Sequence, residues 1–211
     1  MKLYGFSRSS AAFRVRIGLN LKGIAWEHIN ISLPDGDQFE SDYISVNPQG
    51  RVPTLVDGNN TLIQSMAILE YLEETQREPA FLPASPAARA RVRGLADIIA
   101  CDIHPLNNLA ILKFLANEMG ADKEAVSVTW YQHWIYEGFN ALEVLLTDDS
   151  ATGTFTHGDT PGLGDICIVP QVANAQRLEC DMTRYPTIMR IFDACMKLDA
   201  FDNAHPSKQP D

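Results

Sequence analysis

No run of this 211-residue sequence approaches the ~18 consecutive apolar residues that a membrane-spanning helix needs, which excludes a helical membrane protein. The start, MKLYGF, lacks a basic segment followed by an apolar one. No secretory signal is legible there, and the expected location is cytoplasmic. Cationic residues are scarce: 17 Lys and Arg stand against 27 Asp and Glu, a net charge of -10. Phosphate binding wants a basic surface, so a nucleic-acid partner is not expected. Cysteine is also sparse. The four, Cys101, Cys167, Cys180 and Cys195, form no C-x-x-C pair. All fall on apolar, helix-like stretches in the C-terminal part, and they read as reduced, buried small residues. The five histidines show no ligand spacing, so no metal site is expected. Internal repeats and low-complexity segments are absent.

What remains is an ordinary globular composition, 45% hydrophobic and 21% charged, on a chain long enough for one large domain or two small ones. Lys2–Phe6 reads as a short strand, and Ser7–Ser10 as a polar start for a helix over Ala11–Leu21, with Phe13, Ile17 and Leu21 on one face. Ala25–Ser32 is strand-like. Phe39–Val46 predicts a short helix, stopped by Asn47-Pro48. Pro53–Val56 and Thr61–Gln64 predict a hairpin across Asp57-Gly58-Asn59-Asn60. Ser65 then caps a helix carrying Ile68, Leu69 and Leu72. The first 78 residues therefore run β-α-β-α-β-β-α. A proline-rich linker, residues 79–86, leads into an all-helical region, 87–211. A kink is expected at Pro105 and long helices over Lys123–Leu146, Gly162–Leu178 and Tyr185–Leu198. The tail after Asp202 is polar and expected to be loose.

Three constellations carry chemistry. In Asn47-Pro48-Gln49-Gly50-Arg51-Val52-Pro53, a cis Val52–Pro53 bond would turn the Val52 backbone outward, where a peptide-like ligand could pair as an added strand; a plain loop proline is the alternative. Gln64-Ser65 opens a helix, and a helix N-terminus attracts a carboxylate; an ordinary cap is the alternative. Ser7-Arg8-Ser9-Ser10-Ala11-Ala12-Phe13-Arg14-Val15-Arg16 places hydroxyls at the mouth of the first helix, able to donate to a thiolate, beside three arginines and no acid. Salt screens exposed charge beyond ~8 Å, so a local arginine cluster can outweigh a distant acidic surface.

Taken in order, these stretches resemble the glutathione transferase superfamily, and within it the zeta class of maleylacetoacetate and maleylpyruvate isomerases. The specific parts are Ser9-Ser10-x-x-Phe13-Arg14-Val15-Arg16-Ile17 and Cys101-Asp102-Ile103-His104-Pro105-Leu106-Asn107-Asn108-Leu109. Supporting parts are Asn47-Pro48-Gln49-x-x-Val52-Pro53, Gln64-Ser65-x-Ala67-Ile68 and Gly158-Asp159-x-Pro161-x-x-x-Asp165.

The resemblance implies a thioredoxin-like N-terminal domain, a helical-bundle C-terminal domain, a homodimer, and glutathione as cofactor. It implies that Ser9 activates the glutathione sulfur. Ser10, Ala11, Ala12, Phe13, Arg14, Gln38, Gln49, Val52, Gln64, Ser65 and His104 match positions facing the tripeptide. Asn108, Leu109 and Ala110 match the part of the site carried by the helical domain. Arg8 and Arg177 match arginines that grip the carboxylates of a small anionic substrate. Ala11 departs from a frequent cysteine, and Ala110 from an arginine found in some isomerases. The implied reaction is cis–trans isomerisation of a maleyl keto acid in aromatic amino acid or gentisate catabolism. The alternatives are a general glutathione transferase, which conjugates electrophiles or dehalogenates α-halo acids, and a non-catalytic protein of the same fold.

Overall fold

A computed structural model describes residues 1–210 and, among them, every side chain but that of Ser127. The chain divides into two compact units. One comprises Met1–Phe81 together with the segment from Met196 onward; the other is Leu82–Cys195.

In the first unit, β1 (Lys2–Gly5), β2 (Glu27–Asn30), β3 (Thr54–Asp57) and β4 (Asn60–Ile63) form one sheet in the order β2-β1-β3-β4. The β1–β2 pair is parallel and requires the crossover helix α1 (Ser10–Leu21); the others are antiparallel. Leu3 lies opposite Leu55 in the ladder, and both are fully buried. In the hairpin, Asp57 pairs with Asn60. The short helix α2 (Ser41–Val46) and helix α3 (Ser65–Thr75) complete the β-α-β-α-β-β-α order of the thioredoxin-like fold. Helices α1 and α3 approach closely at Gly18, where a Cβ would lie 2.4 Å from a Leu69 methyl.

Two buried features tie this unit together. Lys22 Nζ donates to Glu73 Oε2 at 3.0 Å and to the Pro79 carbonyl at 2.7 Å, and Glu73 accepts the Phe81 N–H at 2.8 Å. The end of α3 and the chain leaving it are thereby held. The C-terminal segment was expected to be loose; instead it is anchored. Short helix α10 (Asp199–Asp202) precedes Ala204, whose carbonyl accepts from Arg16 at 2.9 Å, while Asn20 donates to the Ala200 carbonyl at 3.0 Å. The polar composition of the tail hides this, because its backbone carbonyls are what make the bonds.

The second unit is helical: α4 (Pro86–Asp97), α5 (Leu109–Asn117), α6 (Lys123–Ala125), α7 (Tyr131–Thr147), α8 (Leu163–Arg177) and α9 (Pro186–Met196). Ile99, Ile103, Ile135, Phe139, Ile166 and Val169 are buried at its centre. The break expected at Pro105 begins earlier. Ile98–Ile103 widens into a π-turn before the chain leaves the helix, and a second π-turn, Val126–Trp130, leads into α7. Cys167, Cys180 and Cys195 are buried as expected, but Cys101 is exposed. It sits on the π-turn, whose wider winding rotates it off the face that the apolar pattern assigned to it.

Gly162 is the N-cap of α8, and the carboxylate of Asp165 reaches back to accept its N–H at 2.8 Å. Asp165 also accepts the Thr156 N–H at 2.9 Å and its hydroxyl at 3.0 Å. It is fully buried, and burial pushes it up to about 6 against the lowering effect of these donors.

Candidate functional site

In the first unit, the residues that carry chemistry gather at helix starts and at the loop before β3. Ser9 is the N-cap of α1; its Oγ accepts the Ala12 N–H at 3.2 Å. Capping uses one lone pair of the hydroxyl, and the O–H proton remains available as a donor. Capping and thiolate activation are therefore compatible at Ser9. The first turn of α1 contains no acid, so its macrodipole and first-turn N–H groups favour an incoming anion. Ser10, Ala11, Ala12 and Phe13 are buried in the helix. Ala11 and Ala12 carry no polar side-chain atom, so only their backbone can meet a ligand.

The three arginines of the motif divide. Arg8 is exposed. Arg14 is buried and donates from Nη1 to Ser65 Oγ at 3.3 Å, which links α1 to the start of α3. Arg16 is buried against backbone carbonyls. The cluster read from the sequence thus presents one of its three charges on the surface.

Ser65 does not cap α3, as the sequence suggested; it is the first helical residue, and Gln64 stands at the cap. Gln64 has φ +69°, a left-handed value rare for a residue with a side chain. Its Nε2 donates to Gln49 Oε1 at 2.8 Å. Strain of this kind, on the order of 1–3 kcal/mol, is a signature of ligand clamps.

The loop carrying Gln49 and Val52 is held by a buried network. Asn47 Nδ2 donates to the Arg51 carbonyl at 2.8 Å and to Thr54 Oγ1 at 3.1 Å, and Asn47 Oδ1 accepts the Gln49 N–H at 3.0 Å. The Tyr43 hydroxyl donates to the Arg51 carbonyl at 2.6 Å. Val52–Pro53 is cis, and Val52 precedes the ladder, which starts at Thr54. Gly50, at φ +61°, lets Gln38 lie alongside, since a Cβ there would come 3.1 Å from the Gln38 carbonyl. Gln38 is buried, and its Oε1 has no hydrogen-bond partner in the protein. A buried acceptor without a donor costs about 1–3 kcal/mol, so this position suits a ligand that brings its own N–H. The sequence marks Asn47 within this constellation, but the bonds made by the Asn47, Tyr43 and Thr54 side chains are not legible in it. The Asn-Pro dipeptide is the signal that marks their turn.

In the second unit, His104 follows the π-turn, its N–H donating to the Ile99 carbonyl at 2.9 Å. Asn108 caps α5, accepting the Ala110 N–H at 3.0 Å, and Leu109 and Ala110 open that helix exposed. The neighbouring Asn107 donates to the Tyr131 carbonyl at 3.0 Å. Arg177 is the exposed last residue of α8. The Tyr131 hydroxyl, pushed up by burial, feels its charge. Among the described residues no cluster could hold a metal ion.

Known proteins agree with this layout. The N-terminal domain family of glutathione S-transferases matches residues 1–74. The maleylpyruvate isomerase of a Ralstonia species is 47% identical over 100% of this chain and 99% of its own. Among solved structures, the holo structure of a maleylpyruvate isomerase, described as a bacterial glutathione S-transferase in the zeta class, has a TM-score of 0.98 at 47% identity, covering 100% of this chain and 99% of its own. The maleylacetoacetate isomerase of Methylobacterium extorquens AM1, solved with bound malonate and GSH, has a TM-score of 0.96 at 43% identity, covering 100% of this chain and 98% of its own. A serine-capped helix mouth, a strained Gln64 and end-to-end identity at this level lead to one conclusion: the chain belongs to the zeta class of the glutathione S-transferase family.

Proposed function

We propose that this protein catalyses the glutathione-dependent cis–trans isomerisation of a maleyl keto acid, maleylacetoacetate or maleylpyruvate, in the breakdown of aromatic compounds. The observation that carries the reading is the acid-free mouth of α1, where Ser9 keeps a hydroxyl proton to donate while it caps the helix. Bound glutathione supplies a thiolate, a soft nucleophile that adds reversibly to an activated double bond and so frees it to rotate.

The residues of this chain do the rest. Ser9 and the α1 dipole stabilise the sulfur anion, with the first-turn backbone of Ser10, Ala11, Ala12 and Phe13 beside it. Gln64 and Ser65, at the start of α3, receive a carboxylate of the tripeptide, and Arg14 orients Ser65. Val52 offers its backbone to the peptide, while Gln38 and Gln49 offer side-chain amides. His104, Asn108, Leu109 and Ala110 are assigned to ligand contact from the helical unit. Arg8 and Arg177 stabilise the carboxylates and the enolate charge of a small dianionic substrate, a task for which guanidinium is suited. The protein works as a homodimer, the usual state in this family. Its place is the cytoplasm. Among the described residues, no helix is long and apolar enough to cross a membrane.

The test is a spectrophotometric assay on maleylacetoacetate and maleylpyruvate, with and without glutathione. Isomerisation that requires glutathione and leaves its total constant supports the reading. Consumption of glutathione with release of a thioether would replace it by conjugation. Arg8→Ala should lower turnover while glutathione binding stays nearly intact; an unchanged rate would remove Arg8 from the reaction.

A further inference from the structure

Arg16 has no part in the function described above, yet it is fully buried. It lies about two helical turns beyond Ser9 and so shares its face of α1. Side chains on a helix lean toward its N-terminus, and this one reaches past the cap. Its Nη2 donates to the Ser7 carbonyl at 2.9 Å and its Nη1 to the Phe6 carbonyl at 3.4 Å. The Phe6 carbonyl also accepts the backbone N–H of Ser9 at 3.0 Å. One carbonyl therefore receives both the arginine and the serine it precedes.

The third donor meets the C-terminal segment. Arg16 Nε donates to the Ala204 carbonyl at 2.9 Å. The guanidinium stands 5.3 Å over the Phe13 ring, and the edge of His205 meets that ring at 5.9 Å. Asn20, one turn further along α1, holds Ala200. The partners of Arg16 are carbonyl oxygens, and burial lowers it only to about 10, so it stays a cation at neutral pH. A buried charge solvated by carbonyl dipoles fixes those dipoles in return.

We propose that Arg16 is a positioning residue for Ser9: it locks the Phe6 carbonyl that holds the serine at the mouth of α1 together with the neighbouring Ser7 carbonyl, and it takes its third anchor from the C-terminal segment at Ala204. The proposal rests on the reading of Ser9 as the thiol-activating residue. It makes the C-terminal segment a working part of the glutathione site.

The full-length chain and its Arg16→Met, Arg16→Lys, Asn20→Ala and Ser9→Ala variants are compared by two measurements. Hydrogen exchange follows the Ser9 amide and those after Ala200. Ultraviolet absorbance of the thiolate, followed against pH, titrates enzyme-bound glutathione. In Arg16→Met, both sets of amides should exchange faster, and the thiol should titrate about one unit higher, a roughly tenfold change in its acid dissociation constant. Arg16→Lys keeps the charge but loses the fork and should fall between; if Arg16→Met does not fold, this variant decides. Asn20→Ala should loosen the tail and move the thiol in the same direction by less. Its failure to move the thiol, with the tail loosened, would overturn the role of the C-terminal segment. A folded Arg16 variant with wild-type thiol titration would overturn the positioning role, whatever happens to its stability. If Ser9→Ala leaves the thiol where it is, the functional reading fails instead, and exchange at the Ser9 amide still judges the clamp.

Discussion

Two helix mouths in this protein face the same physical problem and resolve it in opposite ways. A helix start carries unpaired N–H groups and the positive end of a dipole. At α8 the chain supplies its own anion: Asp165 sits in the first turn, buried, and accepts from Gly162 and twice from Thr156. At α1 the first turn holds no acid, and a hydroxyl is the cap. The start of α3 likewise has no acid in its first turn. At α8 the carboxylate is the protein's own; at α1 and α3 the mouth is left to neutral groups, which is what the proposed thiolate and carboxylate sites require.

The comparison breaks most visibly at Asp165. Asp165→Ala would leave a buried hydroxyl and two N–H groups without their acceptor. The expected loss is on the order of 3 kcal/mol or more, read as a lower urea midpoint. The pH dependence has a definite sign. The folded-state value is raised, to about 6 from an ordinary 3.8, so between these values the native state binds the proton more tightly than the unfolded chain. The contribution of this group therefore falls as pH rises through that window. Asp165→Asn should remove this slope; parallel stability curves for the two proteins between pH 4 and 6 would contradict it.

Next comes the opposite mouth. If Ser9 acts as proposed, Ser9→Ala removes a hydrogen bond to an anion, worth about 1.5–3 kcal/mol, so turnover should fall roughly tenfold to a hundredfold. Stability should drop by only about 1 kcal/mol through the lost cap. Comparable effects on stability and turnover would mean that Ser9, like Asp165, is chiefly structural. A smaller effect separates the two roles at Gln64. Gln64→Gly relaxes the left-handed backbone at φ +69° and should stabilise the fold by about 1 kcal/mol. It also deletes the side chain that reaches Gln49, so glutathione affinity should fall as stability rises. A calorimetric affinity equal to wild type would show that the strain serves nothing at the site.

How much of this the sequence disclosed depended on the range of the interaction. The strands, the hairpin and α1 were legible because their signals are local: β-branched runs, Asp-Gly turns and a serine before an apolar period. Ser9 was legible as a cap for the same reason. The left-handed Gln64 was not, since no local rule selects glutamine for positive φ. Arg16 was not, because its partner carbonyl at Ala204 is distant in sequence and a carbonyl has no letter of its own. The π-turns at Ile98–Ile103 and Val126–Trp130 keep a helical composition, so the disturbance was assigned to Pro105. Asp165 was visible as the acid opening a late helix, but the Thr156 arm that buries it was not.

The finest test of the contrast is Gly162→Ser. Gly162 holds the N-cap of α8 in extended backbone, φ −141°, a conformation open to any residue. A serine hydroxyl there could accept a first-turn N–H. Because serine exceeds glycine as a cap by only a few tenths of a kcal/mol, and Asp165 already serves this mouth, the midpoint should rise by no more than that. Thiol titration of bound glutathione should stay unchanged. If a better cap at α8 shifted that titration, the two mouths would be coupled, and the contrast between a mouth closed by its own carboxylate and one proposed to take a ligand would fail.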